Sequence, residues 1–404
     1  MCRKLMYLFL VLLTATVGTV AQAGLPEWEA AIKGASPLHW YKFNEATGTN
    51  CVDSGSGALN GAYDGVSLAQ TGFFGAGAAV GFTRTGANRA SFTGATDLTG
   101  PWTVEYVVKT TKPPAANNAQ CLHDSSTTSI RFAGYTALGE AGYTLYGVAD
   151  YRFTPAAGLT LNNLIAQQDV WMHVVWRNNG SGVQLFFNGK LMGTNTNMVN
   201  FPRLTIGGRA SATSDQLQGV LDEAVVFNRA LTDADIIAHA AASTLLDPSV
   251  LMASNPTPAD GATHADTWVS LSWSPGAFAA SHDVYLGDNF DDVNAGTGGT
   301  FRGNQTTTYF VAGFPGFAYP DGLVPGTTYY WRIDEVDPAN TYKGKIWSFS
   351  IPPKTAYNPN PADGAKYVKL DATLSWTAGF GSKLRTVYFG DDLTTVTDAA
   401  GGAP

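Results

Sequence analysis

Trp171-Met172-His173-Val174-Val175-Trp176, followed one polar loop later by Val183-Gln184-Leu185-Phe186-Phe187-Asn188-Gly189-Lys190-Leu191-Met192, decides the fold. The first segment is a continuous apolar run of strand length, which reads as a strand buried on both faces. The second ends in Asn188-Gly189, a pair that tolerates positive φ at both turn positions and marks a hairpin, with Lys190-Leu191-Met192 returning. His173 alternates with Trp171 and Val175, so it reads as a packed strand position rather than a ligand. Outward from this hairpin, Trp102–Val108 and Val220–Phe227 are rich in strand formers. Trp40, Trp102, Trp171 and Trp176 sit in apolar strands and are expected in the core. The glycine-rich stretch from Gly72 to Gly81 reads as a loop or bulged strand. A single short helix is expected, capped by Thr232 with Asp235 three residues on and packed on the sandwich edge.

Composition agrees with an all-β chain. Of 404 residues, 45% are hydrophobic, only 14% are charged, and 45 are glycine, which favours short strands and tight turns over long helices. The length allows two to four domains. Arg3 and Lys4, the apolar run from Leu5 to Leu13 and Ala21-Gln22-Ala23 form an export signal over residues 1–23. That run is far short of the roughly 20 apolar residues of a membrane span. The net charge of −8 becomes more negative once Arg3 and Lys4 leave with the signal. With no Lys/Arg cluster, nucleic acid and anionic membranes are poor partners. Cys51 and Cys121 remain after the signal. In an oxidising compartment they either pair as a disulfide or stay as two buried thiols.

The chain also repeats itself. Asn255-Pro256-Thr257-Pro258-Ala259-Asp260-Gly261-Ala262 returns as Asn358-Pro359-Asn360-Pro361-Ala362-Asp363-Gly364-Ala365. The same offset carries Leu271-Ser272-Trp273 onto Leu374-Ser375-Trp376, and Val284-Tyr285-Leu286-Gly287-Asp288 onto Val387-Tyr388-Phe389-Gly390-Asp391. A repeat of about 100 residues is the size of a β-sandwich domain. The expected organisation is a jelly-roll domain over 24–243, a linker over 244–254, a first repeat over 255–353 and a second over 354–404. The second copy is shorter than the first, and the sequence is expected to be the N-terminal piece of a longer exported protein.

On these residues the first domain resembles the laminin-G-like, concanavalin A-like jelly-roll family. His39-Trp40-Tyr41-Lys42-Phe43-Asn44-Glu45, Trp102-Thr103-Val104-Glu105, Trp171-Met172-His173-Val174, the Asn188-Gly189 hairpin and Gly219–Leu231 appear in the family's order. The repeats resemble fibronectin type III domains, as found in large exported proteins of planctomycete-type bacteria. Leu271-Ser272-Trp273 matches the second strand, and Leu323–Ile333 the corner where a Tyr hydroxyl, here Tyr329, bonds back to the backbone. The resemblance implies an antiparallel jelly-roll sandwich followed by one complete and one truncated immunoglobulin-like sandwich. It also implies one structural calcium ion between the first and last strands, held by Asn44 or Glu45 and Asp222.

Catalytic patterns are missing. No Glu-x-Asp-x-x-Glu strand, His-Glu-x-x-His helix or Gly-x-Ser-x-Gly elbow occurs. Glu105 is the lone acid on its strand, and adjacent Asp222 and Glu223 are expected on opposite faces. Tyr135, Tyr143, Tyr146 and Tyr151 lie in a Gly/Thr-rich region and are the candidates for stacking on a sugar ring. The expected protein is secreted or on the cell surface and non-catalytic. It would bind a glycan or an extracellular protein through its jelly roll and use the repeats as spacers. Alternatives are a structural surface protein and the non-catalytic arm of a polysaccharide-degrading enzyme.

Overall fold

The computed structural model describes residues 25–84, 86–111, 119–132, 139–338 and 340–398. The expected export signal, residues 1–23, lies outside them. The chain divides into two compact units, Met1–Asp247 and Pro248–Pro404.

The first unit is an all-β sandwich of two antiparallel sheets. One has nine strands, in which Trp102–Thr110 is flanked by Trp171–Asn178 and Gly219–Phe227, and His39–Tyr41 pairs with Gly219–Phe227. Val183–Phe187 and Lys190–Asn195 form the expected hairpin, with Asn188 and Gly189 both at positive φ. The other sheet has eight strands, including Gln120–Asp124, Thr128–Phe132 and Ala141–Leu145. The inner faces bury one core that includes Trp102, Tyr106, Ile130, Phe132, Tyr143, Trp176, Leu185 and Leu221. Tyr106 Oη and His123 Nδ1 are hydrogen-bonded there. Burial, reinforced by His39, pushes the His123 imidazole down to about 3, so it sits neutral in the core. The glycine-rich stretch is a bulged strand pair, with register shifts between Ser67–Gly72 and Gly75–Phe82.

A second, smaller core covers the outer face of the nine-stranded sheet. It contains Trp28, Ile32, Trp40, Val175, Phe186, Val225, Phe227 and Ile236. Two helices supply the cover. Asp233–Ala242 has the capping box read from Thr232 and Asp235, yet it lies over the sheet face rather than at its edge. Leu25–Gly34 was not expected as a helix; it buries Trp28 and Ile32 one turn apart. Trp40, Trp102 and Trp176 are buried, whereas Trp171 is only half-buried, with Lys109 Nζ 5.1 Å above its ring.

The second unit begins inside the expected linker: Val250 already accepts a backbone hydrogen bond from Ala277. Ser254–Thr257, Val269–Ser274 and Tyr309–Ala312 form a three-stranded sheet. A six-stranded sheet is built around Thr328–Val336, Ser281–Gly287 and Ile346–Ser350. Leu271, Trp273, Val284, Leu286, Tyr329, Trp331 and Phe349 share their core. Tyr329 Oη accepts from Val324 N–H at 3.0 Å, which is the corner bond expected of that tyrosine. The second copy of the repeat differs. Tyr357–Asn360 pairs with Ser375–Thr377, but Leu374, Trp376 and Val387 stand 47%, 37% and 55% exposed. Their counterparts Leu271, Trp273 and Val284 are at most 5% exposed.

Candidate functional site

Three buried acids of the first unit, Glu105, Asp222 and Glu223, lie against the outer face of the nine-stranded sheet. Glu105 Oε2 is 3.0 Å from His173 Nε2, and Glu105 Oε1 is 3.0 Å from His239 Nδ1. Burial alone would push this carboxyl up. The His239 charge and hydrogen bonds from both imidazoles outweigh it and hold Glu105 at about 2. The same carboxylate raises His239 against the effect of burial. Trp28 stands edge-on to both imidazoles, at 5.8 and 6.3 Å. Glu105 is therefore the common anchor of two strands and a helix, enclosed under an indole. Alternation with Trp171 and Val175 marks His173 as packed, which it is, but says nothing of His239. The available signal was its place on the helix, one turn from buried Ile236.

Asp222 and Glu223 do not point to opposite faces. A bulge at Leu221/Glu223 leaves Asp222 unpaired in the ladder with Trp102–Thr110, which breaks the alternation. Leu221 turns into the main core, while both acids reach groups of the outer face. Asp222 Oδ2 accepts from the backbone N–H of Phe73 and Phe74. Burial still pushes its carboxyl up to about 6. Glu223 Oε2 accepts from Trp40 Nε1 at 2.5 Å, and burial raises its carboxyl well above the usual range.

The residues of the expected calcium set have protein partners. Glu45 is engaged elsewhere, by Val52 N–H at 2.8 Å and Tyr63 O–H at 2.8 Å. Asp222 serves the 73–74 turn, and Asn44 adds no charge. Among the described residues, no group of three or more His, Cys, Asp or Glu is placed to hold a metal ion.

The tyrosines belong to the eight-stranded sheet. Tyr135 lies outside the described residues. Tyr143 is fully buried and donates to Asn197 O at 2.5 Å, so it is a core residue and not a stacking platform. Tyr151 is half-buried against it, ring centroids 5.2 Å apart. Tyr146 joins a polar network on the sheet's outer face. Its hydroxyl donates to Asp124 Oδ1 at 2.6 Å, Ala210 N–H donates to Asp124 Oδ2 at 2.8 Å, and Arg209 lies 4.9 Å over its ring. Burial raises the Asp124 carboxyl, with the Tyr146 and Ala210 donors offsetting only part.

Of the two alternatives for the cysteines the disulfide is ruled out, because Cys51 and Cys121 are both free and buried. Cys51 lies on the outermost strand of this sheet, four strands from Cys121. At about 4.8 Å per strand that is far beyond the reach of an S–S bond. Ser129 Oγ donates to Cys121 Sγ at 3.3 Å, and burial raises both thiols to about 12. Neither is a nucleophile near neutral pH.

One cavity in this unit suits a small polar ligand. It has a volume of about 280 Å³ and lies beside the 3-10 turn Leu161–Leu164 and the Asn188-Gly189 hairpin. Asn162, Asn163, Gln167 and Asn188 bring side-chain amides to it, over Met172, Phe187 and Met192. Lys190 and Asp247 close one side, 3.3 Å apart. Asn188 is fixed by accepting from His173 N–H at 2.9 Å. A larger cleft at Trp40 is less suited to a ligand. Lys42 covers the Trp40 ring at 4.1 Å and pairs with Glu29 at 2.6 Å. Sequence reasoning missed the amide cavity, since Asn162 and Gln167 stand in a stretch without periodicity.

Residues 83–237, which lie within the sandwich, match the family model described as the concanavalin A-like lectin/glucanases superfamily. No curated protein matches the chain. Among solved structures, a mutant of Trypanosoma rangeli sialidase with trans-sialidase activity shares 13% identity at a TM-score of 0.38. The match covers 54% of this chain and 34% of the sialidase, so the chain spans about a third of that protein's length. Domain 4 of a GH43 extracellular arabinanase from Geobacillus stearothermophilus, solved with arabinotriose, shares 13% identity at a TM-score of 0.36. That match covers 51% of this chain and 98% of that one. An Fn3-like protein from Clostridium thermocellum shares 15% identity at a TM-score of 0.18, over 25% and 92% of the two chains.

Proposed function

We propose that this chain is an exported, non-catalytic binding protein whose jelly roll holds a neutral carbohydrate in the amide-lined cavity, with the repeats as spacers. The cavity carries the reading. Side-chain amides donate and accept at once, which matches hydroxyl groups that do the same. Phe187, Met172 and Met192 offer an apolar floor to the C–H face of a sugar ring, and such a mix of apolar lining and few polar groups typifies small-molecule sites. The buried carboxyls have no part in it: Glu105, Asp222 and Glu223 are covered and committed to protein partners. The test is affinity electrophoresis of the full chain in native gels containing laminarin, xylan or galactomannan. Retardation is expected, and Asn162→Ala/Gln167→Ala should weaken it by roughly tenfold, the effect of losing two hydrogen bonds to ligand. A mobility unaffected by all three glycans, or retardation untouched by the double substitution, would overturn the assignment.

A further inference from the structure

The first repeat carries three large rings that its core does not use. Trp268, Phe314 and Phe317 are 42%, 38% and 54% exposed, and none belongs to the buried cluster of that unit. Trp268 and Phe314 stack with centroids 5.1 Å apart and planes inclined by 29°. Phe317 continues the row, 6.4 Å from Phe314. The ring at 268 is not a feature of the repeat: where the first copy has Thr267-Trp268-Val269, the second has Leu370-Asp371-Ala372.

The rings are held in place by their backbone. Gly313, at φ +95, lies so close to the neighbouring strand entry that a Cβ would sit 2.4 Å from Thr267 O and 2.5 Å from Trp268 Cα. Only glycine lets the 313–318 loop rest there. Gly313 N–H donates to Ala318 O at 2.8 Å, Phe317 N–H to Phe314 O at 3.0 Å and Leu323 N–H to Thr267 O at 2.7 Å. His264 Nε2 is 2.6 Å from Trp268 O. Large exposed rings on a braced loop pair lose little freedom when they bind, which favours affinity.

The charge around them selects the ligand. Asp266 and Asp321 are exposed on the two loops, and neither 264–268 nor 313–323 contains a lysine or arginine. With a net charge of −8 on the chain, polyanions are repelled. Carboxylates instead accept hydrogen bonds from hydroxyls. We propose that Trp268, Phe314 and Phe317 form a stacking platform for successive sugar rings of a neutral polysaccharide, with Asp266 and Asp321 as hydroxyl acceptors. The first repeat is then a second glycan contact rather than a spacer, and it stands whether or not the jelly-roll cavity binds sugar.

The test uses the full chain carrying Asn162→Ala/Gln167→Ala, so that the cavity contributes nothing. Mobility is measured in gels containing laminarin, xylan, galactomannan or alginate, with and without Trp268→Ala/Phe314→Ala/Phe317→Ala. Retardation by at least one neutral glycan is expected, and removal of the rings should weaken it by roughly tenfold or more. Tm should stay unchanged, and Trp268→Tyr should retain most of the retardation. Four outcomes would overturn the platform. They are no retardation by the neutral glycans, retardation by alginate alone, retardation indifferent to the rings, or self-association in sedimentation velocity that the triple substitution abolishes. The last would reassign the rings to a contact between copies.

Discussion

On the outer face of the nine-stranded sheet, Glu105 is buried between His173 and His239 under Trp28, Asp222 is held by the 73–74 turn and Glu223 by Trp40. On the outer face of the eight-stranded sheet, Asp124, Tyr146 and Arg209 are tied together by a loop, through Ala210 and Asp215. The first face pairs its charge with imidazoles under apolar cover. The second spreads its charge over neutral donors and an arginine that is still partly wet. Asp124 and Glu105 are both fully buried, so each depends on its partners, and the two faces differ in what those partners are. The nine-stranded sheet's outer face by itself holds carboxyls with opposite shifts: Glu105, between two imidazoles, is driven down to about 2, and Asp222, with only backbone N–H donors, is driven up by burial to about 6.

The largest effect is expected at Glu105. Glu105→Gln leaves His239 and His173 buried without their anion and should cost about 3–5 kcal/mol, read from denaturant midpoints. A loss similar to that at the loop-bound face would erase the distinction between the faces. Next comes pH. Asp222 holds its proton more tightly folded than unfolded, so its contribution is lost as pH rises from the ordinary 3.8 to about 6. At 1.36 kcal/mol per unit this is at most about 3 kcal/mol. Glu105 runs the other way, adding stability above its ordinary 4.5 that is lost as pH falls to about 2. Tm should peak between the two limbs, and Asp222→Asn should flatten only the lower part of the alkaline one. His239, raised, extends the fall past 6.5. The smallest effect is expected at the second face. Asp124→Asn turns an acceptor of the Ala210 N–H into a possible donor and should cost about 1–3 kcal/mol. A loss matching Glu105→Gln would show that neutral donors anchor a buried carboxyl as firmly as imidazoles do.

Much of the architecture was legible because it rests on period and punctuation. The 171–178 strand, the Asn188-Gly189 hairpin, the Thr232 cap and the Tyr329 corner each need only a few neighbouring residues to be read. What failed were features set by distant partners. Alternation placed Asp222 and Glu223 on opposite faces, and a single bulge undid it. Tyr143 looked like a loop residue because its surroundings are Gly- and Thr-rich, yet its strand lies over the core. Cys51 and Cys121 looked pairable because sequence carries no measure of how many strands separate two positions. The helix Leu25–Gly34 escaped because only Trp28 and Ile32 mark its buried side. The amide cavity was invisible for a related reason: its members are joined by a turn and a hairpin, not by spacing.

The hydrogen bond from Trp40 to Glu223 spans 183 residues of chain, and the strand beginning at His39 finds its ladder only in Gly219–Phe227. A polypeptide made from its N-terminus must keep that opening strand, and Trp28 before it, waiting until the closing strand exists. Early chain closes late. Through that interval the two tryptophans have no partner to bury them, which leaves them open to a chaperone.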